Sequence, residues 1–145
     1  VGLGGKGNEG VAGLIKQTPY SLGYVELVYA LQNNMAYGAV RNAAGVFQKA
    51  TLQSVSAAAA SVAGSMPDDF RVSITNPSSP DAYPIASFTW LLVPSRIEDP
   101  VKREAIRGFL AWMLSAGQAY AEPLAYARIP QQVIEKEIQA IALIQ

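Results

Sequence analysis

Apolar positions along the chain recur at helical spacing in some stretches and alternate or run together in others. Val11, Leu14 and Ile15 fit one face of a helix over Asn8–Gln17. Thr18-Pro19 closes it, because the residue before a proline avoids the helical region. Ser21–Leu27 predicts a turn into a short strand, and Leu27–Gln32 one or two helical turns stopped by Asn33-Asn34. Ala36–Arg41 and Val46–Lys49 predict a hairpin around Asn42-Ala43-Ala44-Gly45, where Asn and Gly tolerate turn conformations. Thr51 is placed to cap an alanine-rich helix ending near Gly64, with Leu52, Val55, Ala59 and Val62 on one stripe.

Beyond Gly64 the pattern changes. Met66–Tyr83 is rich in Pro, Asp, Asn and Ser, with one alternating island, Phe70-Arg71-Val72-Ser73-Ile74, that predicts an edge strand. Pro84–Val93 is nearly continuous in bulky residues and predicts a strand buried on both faces. Asp99-Pro100 is a cap followed by a first-turn proline. The helix it opens carries Val101, Ala105, Ile106, Phe109, Leu110 and Met113 and closes at Gly117, and a last helix begins at Pro130 with Ile134, Ile138 and Ile141 on one face. Strands and helices interleave, as in an α/β protein, but the strand candidates are too few for a complete doubly wound sheet. The expectation is therefore portions of two α/β layers, with Asn76–Pro84 crossing between them.

At 145 residues one compact domain is the default, and an apolar half of the composition is enough for a core. Eleven basic and eleven acidic residues, scattered along the chain, argue against nucleic-acid binding and against a polybasic membrane surface. With neither His nor Cys, histidine acid–base catalysis, thiolate chemistry, disulfides and the common zinc sites are excluded. No GxSxG nucleophile elbow occurs either, so a hydrolase or transferase is disfavoured. No apolar run approaches the ~20 residues of a membrane-spanning helix. The glycine-rich start is not a signal peptide, which leaves either a cytosolic protein or one whose front has been removed.

The opening GGKGNEG, Gly4–Gly10, has the look of a phosphate cradle. It lacks the order of a Walker loop, since Lys6 precedes the last glycines and no Ser or Thr follows it, and no strand precedes its GxGxxG spacing. A turn at Gly5 and Gly7 with Asn8 capping a helix accounts for it better. Lys6 could steer anions, but a glycine-flanked lysine is more often solvated. Arg41 and Arg71 have the right chemistry for bidentate phosphate contacts but stand in no ligand motif. Tyr24, Tyr29 and Tyr37 are read as packing residues, and Trp90 and Trp112 as core. Glu9 with Glu26, or Asp68 with Asp69, could make acid–base pairs, although acidic residues in loops are usually solvated.

Three stretches together resemble the phosphate ABC-transporter substrate-binding proteins. They are GGKGNEGVAGLIKQTPYSLGYVELVYALQNN (Gly4–Asn34), DAYPIASFTWLLV (Asp81–Val93) and LAYARIPQQVIEKEIQAI (Leu124–Ile141). The resemblance implies a periplasmic-binding-protein-like α/β fold of two lobes, of which this chain is the C-terminal portion. Residues 1–80 would end lobe two, 81–87 would form a hinge crossing, and 88–145 would end lobe one. It implies a non-catalytic protein that closes over inorganic phosphate and delivers it to an ABC transporter permease, without a cofactor, metal or nucleic acid. Its place would be periplasmic or extracellular, with a lipid anchor, where one exists, at the upstream N-terminus. The family's phosphate ligands lie upstream and match no position here, so phosphate would be bound only with the N-terminal half, carried on the same or a separate chain. The alternative is an independently folded structural or interaction module of the same fold without an anion site.

Overall fold

The structure is a computed structural model and describes residues 2–145. The chain divides into two compact units, residues 1–38 and 39–145.

The first unit holds α1 (Gly7–Gln17) and α2 (Leu27–Gln32). Lys6, not Asn8, is the N-cap of α1, and its side chain makes no capping bond. Asn8 is drawn away because its Oδ1 accepts the Glu26 backbone N–H at 3.1 Å, at the start of α2. The two helices are further tied by the Tyr29 hydroxyl, which donates to Glu9 Oε1 at 2.9 Å. The strand expected at Ser21–Leu27 does not form: residues 21–26 have no ladder partner, and Leu22 and Tyr24 stand in solvent.

The second unit opens with an antiparallel hairpin of β1 (Ala39–Arg41) and β2 (Phe47–Lys49), in register Ala39 to Lys49 and Arg41 to Phe47. Gly45 takes φ +84° in its turn, a conformation that glycine adopts without a side-chain clash. The next helix, α3 (Leu52–Ala60), starts on a reciprocal cap: Thr51 accepts the Ser54 N–H, and the Ser54 hydroxyl accepts the Thr51 N–H. A single 3₁₀ turn, Ala63–Ser65, follows it past Gly64.

The two later strand expectations are corrected. Phe70 sits at φ +60°, outside the extended region, and Asp69 holds the Arg71 N–H, so Phe70–Ile74 curls locally instead of extending along a neighbour. Pro84 and Ile85 lie in a bend, and the stretch to Val93 finds no strand to pair with among the described residues. Without such a partner its far end is not buried on both faces: Trp90 is 46% exposed and Leu92 97%.

Helix α4 (Pro100–Met113) begins where Asp99-Pro100 predicts, with Asp99 accepting the N–H groups of Val101 and Lys102. It ends before Gly117, which lies in a 3₁₀ stretch, Ala116–Tyr120, and a second 3₁₀ turn, Glu122–Leu124, follows. Helix α5 (Gln131–Ala142) has Pro130 as its N-cap.

The core is small and alanine-rich. One cluster joins Ala58 and Ala59 of α3 to Ile74, Ala82 and Ala86. A second joins Ala63 and Met66 to Val133 of α5, with Phe70, Phe88 and Ile129 against it. Lys136 adds a bond from Nζ to the Met66 carbonyl at 2.7 Å. No residue of α4 is fully buried, and its predicted apolar stripe leaves Val101 and Phe109 exposed.

Candidate functional site

In the first unit the glycines of GGKGNEG serve close packing. A Cβ on Gly5 would lie 2.6 Å from the Val11 nitrogen and 2.7 Å from the Gly10 carbonyl carbon, so the turn folds onto the helix start only with glycine at that position. Gly7 takes φ +69°, again a glycine conformation. The free N–H groups of the first turn of α1 face the acidic Glu9 in the same turn. A backbone hydrogen bond, and after it the Tyr29 hydroxyl, hold the Glu9 carboxyl below its ordinary range. A carboxylate kept ionised there satisfies the helix dipole itself and repels a second anion. Lys6 is exposed beside this turn. An open groove of about 760 Å³ between α1 and α2 is lined by Glu9, Ala12, Lys16, Tyr29 and Asn33, and its lysine donates to Asn33 at 3.5 Å. Its charges are of both signs.

In the second unit both candidate arginines have internal partners. Arg41 Nε donates to the Gly45 carbonyl at 3.3 Å, bracing the hairpin turn. Arg71 Nε and its terminal nitrogen meet Asp69 Oδ2 at 2.7 and 2.6 Å, and that guanidinium holds the Asp69 carboxyl below its ordinary range. Asp69 is therefore half of an exposed ion pair with Arg71. Arg71, Ser73, Thr75, Ser87 and Trp90 line an open groove of about 350 Å³.

The tryptophan expectation is corrected. Trp90 packs edge-on against Phe88 with ring centroids 5.6 Å apart, and Trp112 stacks between Phe109 and Tyr120, but 46% and 45% of the two residues remain exposed. Both rings are half-covered at the surface, whereas Ile74, Met66 and Val133 take the core positions. Tyr24 is exposed as well, and Tyr29 is the hydrogen-bond tie described above.

Three structural side chains escaped sequence reasoning. Asn42, only 5% exposed, is the hub of the hairpin turn. Gln118 donates to the Met113 carbonyl at 2.8 Å and accepts the Ile129 N–H at 2.9 Å, joining the end of α4 to the lead-in of α5. Glu137 is partly buried on α5, its Oε2 has no hydrogen-bond partner, and burial raises its carboxyl above the ordinary value. Only Asn42 carried a signal, as a turn former in a short hairpin loop; the other two depend on contacts distant in sequence.

Neither groove therefore converges charged donors on a desolvated point, and the chain's resemblance to known proteins decides more than its pockets. No protein-family model matches it. It is 42% identical over 139 residues to the phosphate-binding protein PstS of Xylella fastidiosa (strain Temecula1), a match spanning 96% of this chain and 38% of that protein. This chain belongs to the PstS phosphate-binding proteins, whose C-terminal portion it matches. The PstS proteins of Pasteurella multocida, 37% identical over 96% of this chain, and Methanocaldococcus jannaschii, 36% identical over 99%, agree, each match spanning 40% of the relative. The chain thus spans about two-fifths of the length of the PstS relatives it matches. Their name is that of binding proteins, not of enzymes. No helix among the described residues is long and apolar enough to cross a membrane.

Proposed function

We propose that this chain is the C-terminal part of a high-affinity inorganic phosphate-binding protein that delivers its ligand to an ABC importer by hinged closure of two lobes. The observation that carries this reading is the 42% identity to a PstS protein over 96% of the chain. Residues 1–80 complete lobe two, 81–87 cross between the lobes, and 88–145 complete lobe one. The ligand groups that desolvate phosphate belong to the upstream half, and GGKGNEG is a structural turn whose Glu9 disfavours an anion. The protein works in the periplasm or outside the cell, with any lipid anchor upstream. Its partners are phosphate and the importer's permease.

Isothermal titration separates the contributions. The full-length protein is expected to bind one phosphate at micromolar or lower concentration, while the 145-residue chain alone shows no such binding. Micromolar one-to-one binding by the isolated chain would place an anion site within it and overturn the assignment of the ligands upstream.

A further inference from the structure

The stretch that leads into the crossing is held far more tightly than its Pro, Ser and Asp content suggests. Asn42 Oδ1 accepts the Val46 N–H at 3.0 Å within the hairpin turn. Its Nδ2 faces three carbonyls of a segment almost forty residues away: Pro80 at 2.8 Å, Ala82 at 3.1 Å and Ser79 at 3.4 Å. Gln48 of β2 donates to the same Pro80 carbonyl at 3.0 Å. From the other side the Tyr83 N–H donates to the Ser54 carbonyl of α3 at 3.0 Å, and the Asn76 N–H closes the loop onto the Pro84 carbonyl at 2.7 Å. Ala82 is fully buried against Ala58 and Ala59.

The restraint changes abruptly after Pro84. Among the described residues, no backbone N–H or carbonyl of residues 85–93 bonds to another segment. Ala86 and Phe88 pack on the core by their side chains alone, and from Thr89 to Leu92 the chain is exposed. Backbone bonds to buried partners resist opening, so residues 76–84 are held to the hairpin and α3.

We infer that Asn42 is a positioning residue that clamps residues 79–82 onto the hairpin, so that these residues stay with the hairpin and the crossing begins only on the C-terminal side of Pro84. Proline's fixed φ marks the end of the clamped part. This rests on the two-lobe reading above and narrows its 81–87 crossing by removing residues 81–84 from the moving part. The Asn42 amide supplies both roles at once: its oxygen fixes the turn and its nitrogen gathers the three carbonyls. Asn42→Asp keeps the shape and the Val46 bond but aims a carboxylate at the same carbonyls.

Residue-resolved hydrogen exchange on the full-length protein, with and without inorganic phosphate, tests it. In the wild type the Asn76, Ala82 and Tyr83 amides should exchange slowly and identically in both states, while amides within residues 85–93 respond to phosphate. In Asn42→Asp the Ala82 and Tyr83 amides should exchange about tenfold faster or more, and become phosphate-responsive, because the amide's donations to these carbonyls are lost. Gln48→Ala, at a half-buried site with a single donation to Pro80, should accelerate the same amides less. A phosphate response at Ala82 or Tyr83 in the wild type, or unchanged exchange there in both variants, would overturn the clamp. If Asn42→Asp does not fold, the wild-type profile and Gln48→Ala decide. If the full-length protein binds no phosphate, the functional reading falls, and the clamp is judged by wild type against the variants in buffer alone.

Discussion

At the scale of single residues, Glu137 is the one described side chain with a buried polar atom lacking a partner. Burial raises its carboxyl above the ordinary value near 4.5, which fixes the sign of its effect on stability. Between the ordinary and the raised pKa the folded state holds more protons than the unfolded one, so stability falls as pH rises through that window. Its contribution is full below the ordinary carboxylate range and is lost above the raised value. Glu137→Gln should therefore match the wild type in acid and exceed it at neutral pH, by less than about 1 kcal/mol because solvent still screens the group. Urea unfolding at a series of pH values reads this, and a wild type that gains stability over the Gln variant as pH rises would refute it. Gly5 shows the opposite kind of residue, one whose role is to be absent: the atoms a Cβ would strike are backbone, which cannot swing aside.

At the scale of elements, α3 is fixed by its first turn as well as by its alanine face. The Ser54 hydroxyl donates to the Lys49 carbonyl at 2.7 Å and accepts the Thr51 N–H, so the cap also joins β2 to the helix. Thr51→Ala should cost about 1 kcal/mol in urea unfolding, as N-cap removal commonly does, and Thr51→Ser should restore most of it. Equal stability of all three proteins would show that the box is ornamental. Such caps were legible in the sequence, because Thr51 and Asp99 act on N–H groups two or three residues away. The last helix was legible from the spacing of its isoleucines. Ser21–Leu27, Phe70–Ile74 and Pro84–Val93 were misread as strands for one shared reason: a strand is completed by a neighbour that may lie anywhere in the chain, and apolar composition does not supply it. Phe70 adds a local reason, its left-handed φ. In the candidate site, the exclusion of histidine and cysteine chemistry was legible at once, while the Asn42 and Gln118 bonds, reaching across roughly forty and eleven residues, were not.

At the scale of the whole molecule, large apolar side chains stand uncovered in a chain that matches two-fifths of the length of its relatives. Leu91 and Leu92 of the unpaired segment, Val101 and Phe109 of α4, and the Phe109–Trp112–Tyr120 ring series are exposed. Scattered apolar residues are ordinary on a protein surface, but contiguous patches beyond a few hundred Å² mark a surface meant to be covered. The unpaired N–H and carbonyl groups of residues 85–93 point the same way, since an open extended edge invites pairing with another chain. The covering element that fits the proposed function is the N-terminal half of the same protein, which would pair that segment and pack on α4. Expressed alone, the 145-residue chain should bind a hydrophobic dye, self-associate in analytical ultracentrifugation and melt with low cooperativity. Co-expression with the upstream half should suppress all three together, because a single interface removes both the apolar patch and the open edge. A monodisperse monomer with a sharp two-state melt and no dye binding would instead identify a self-sufficient module, and the fragment reading would have to be withdrawn.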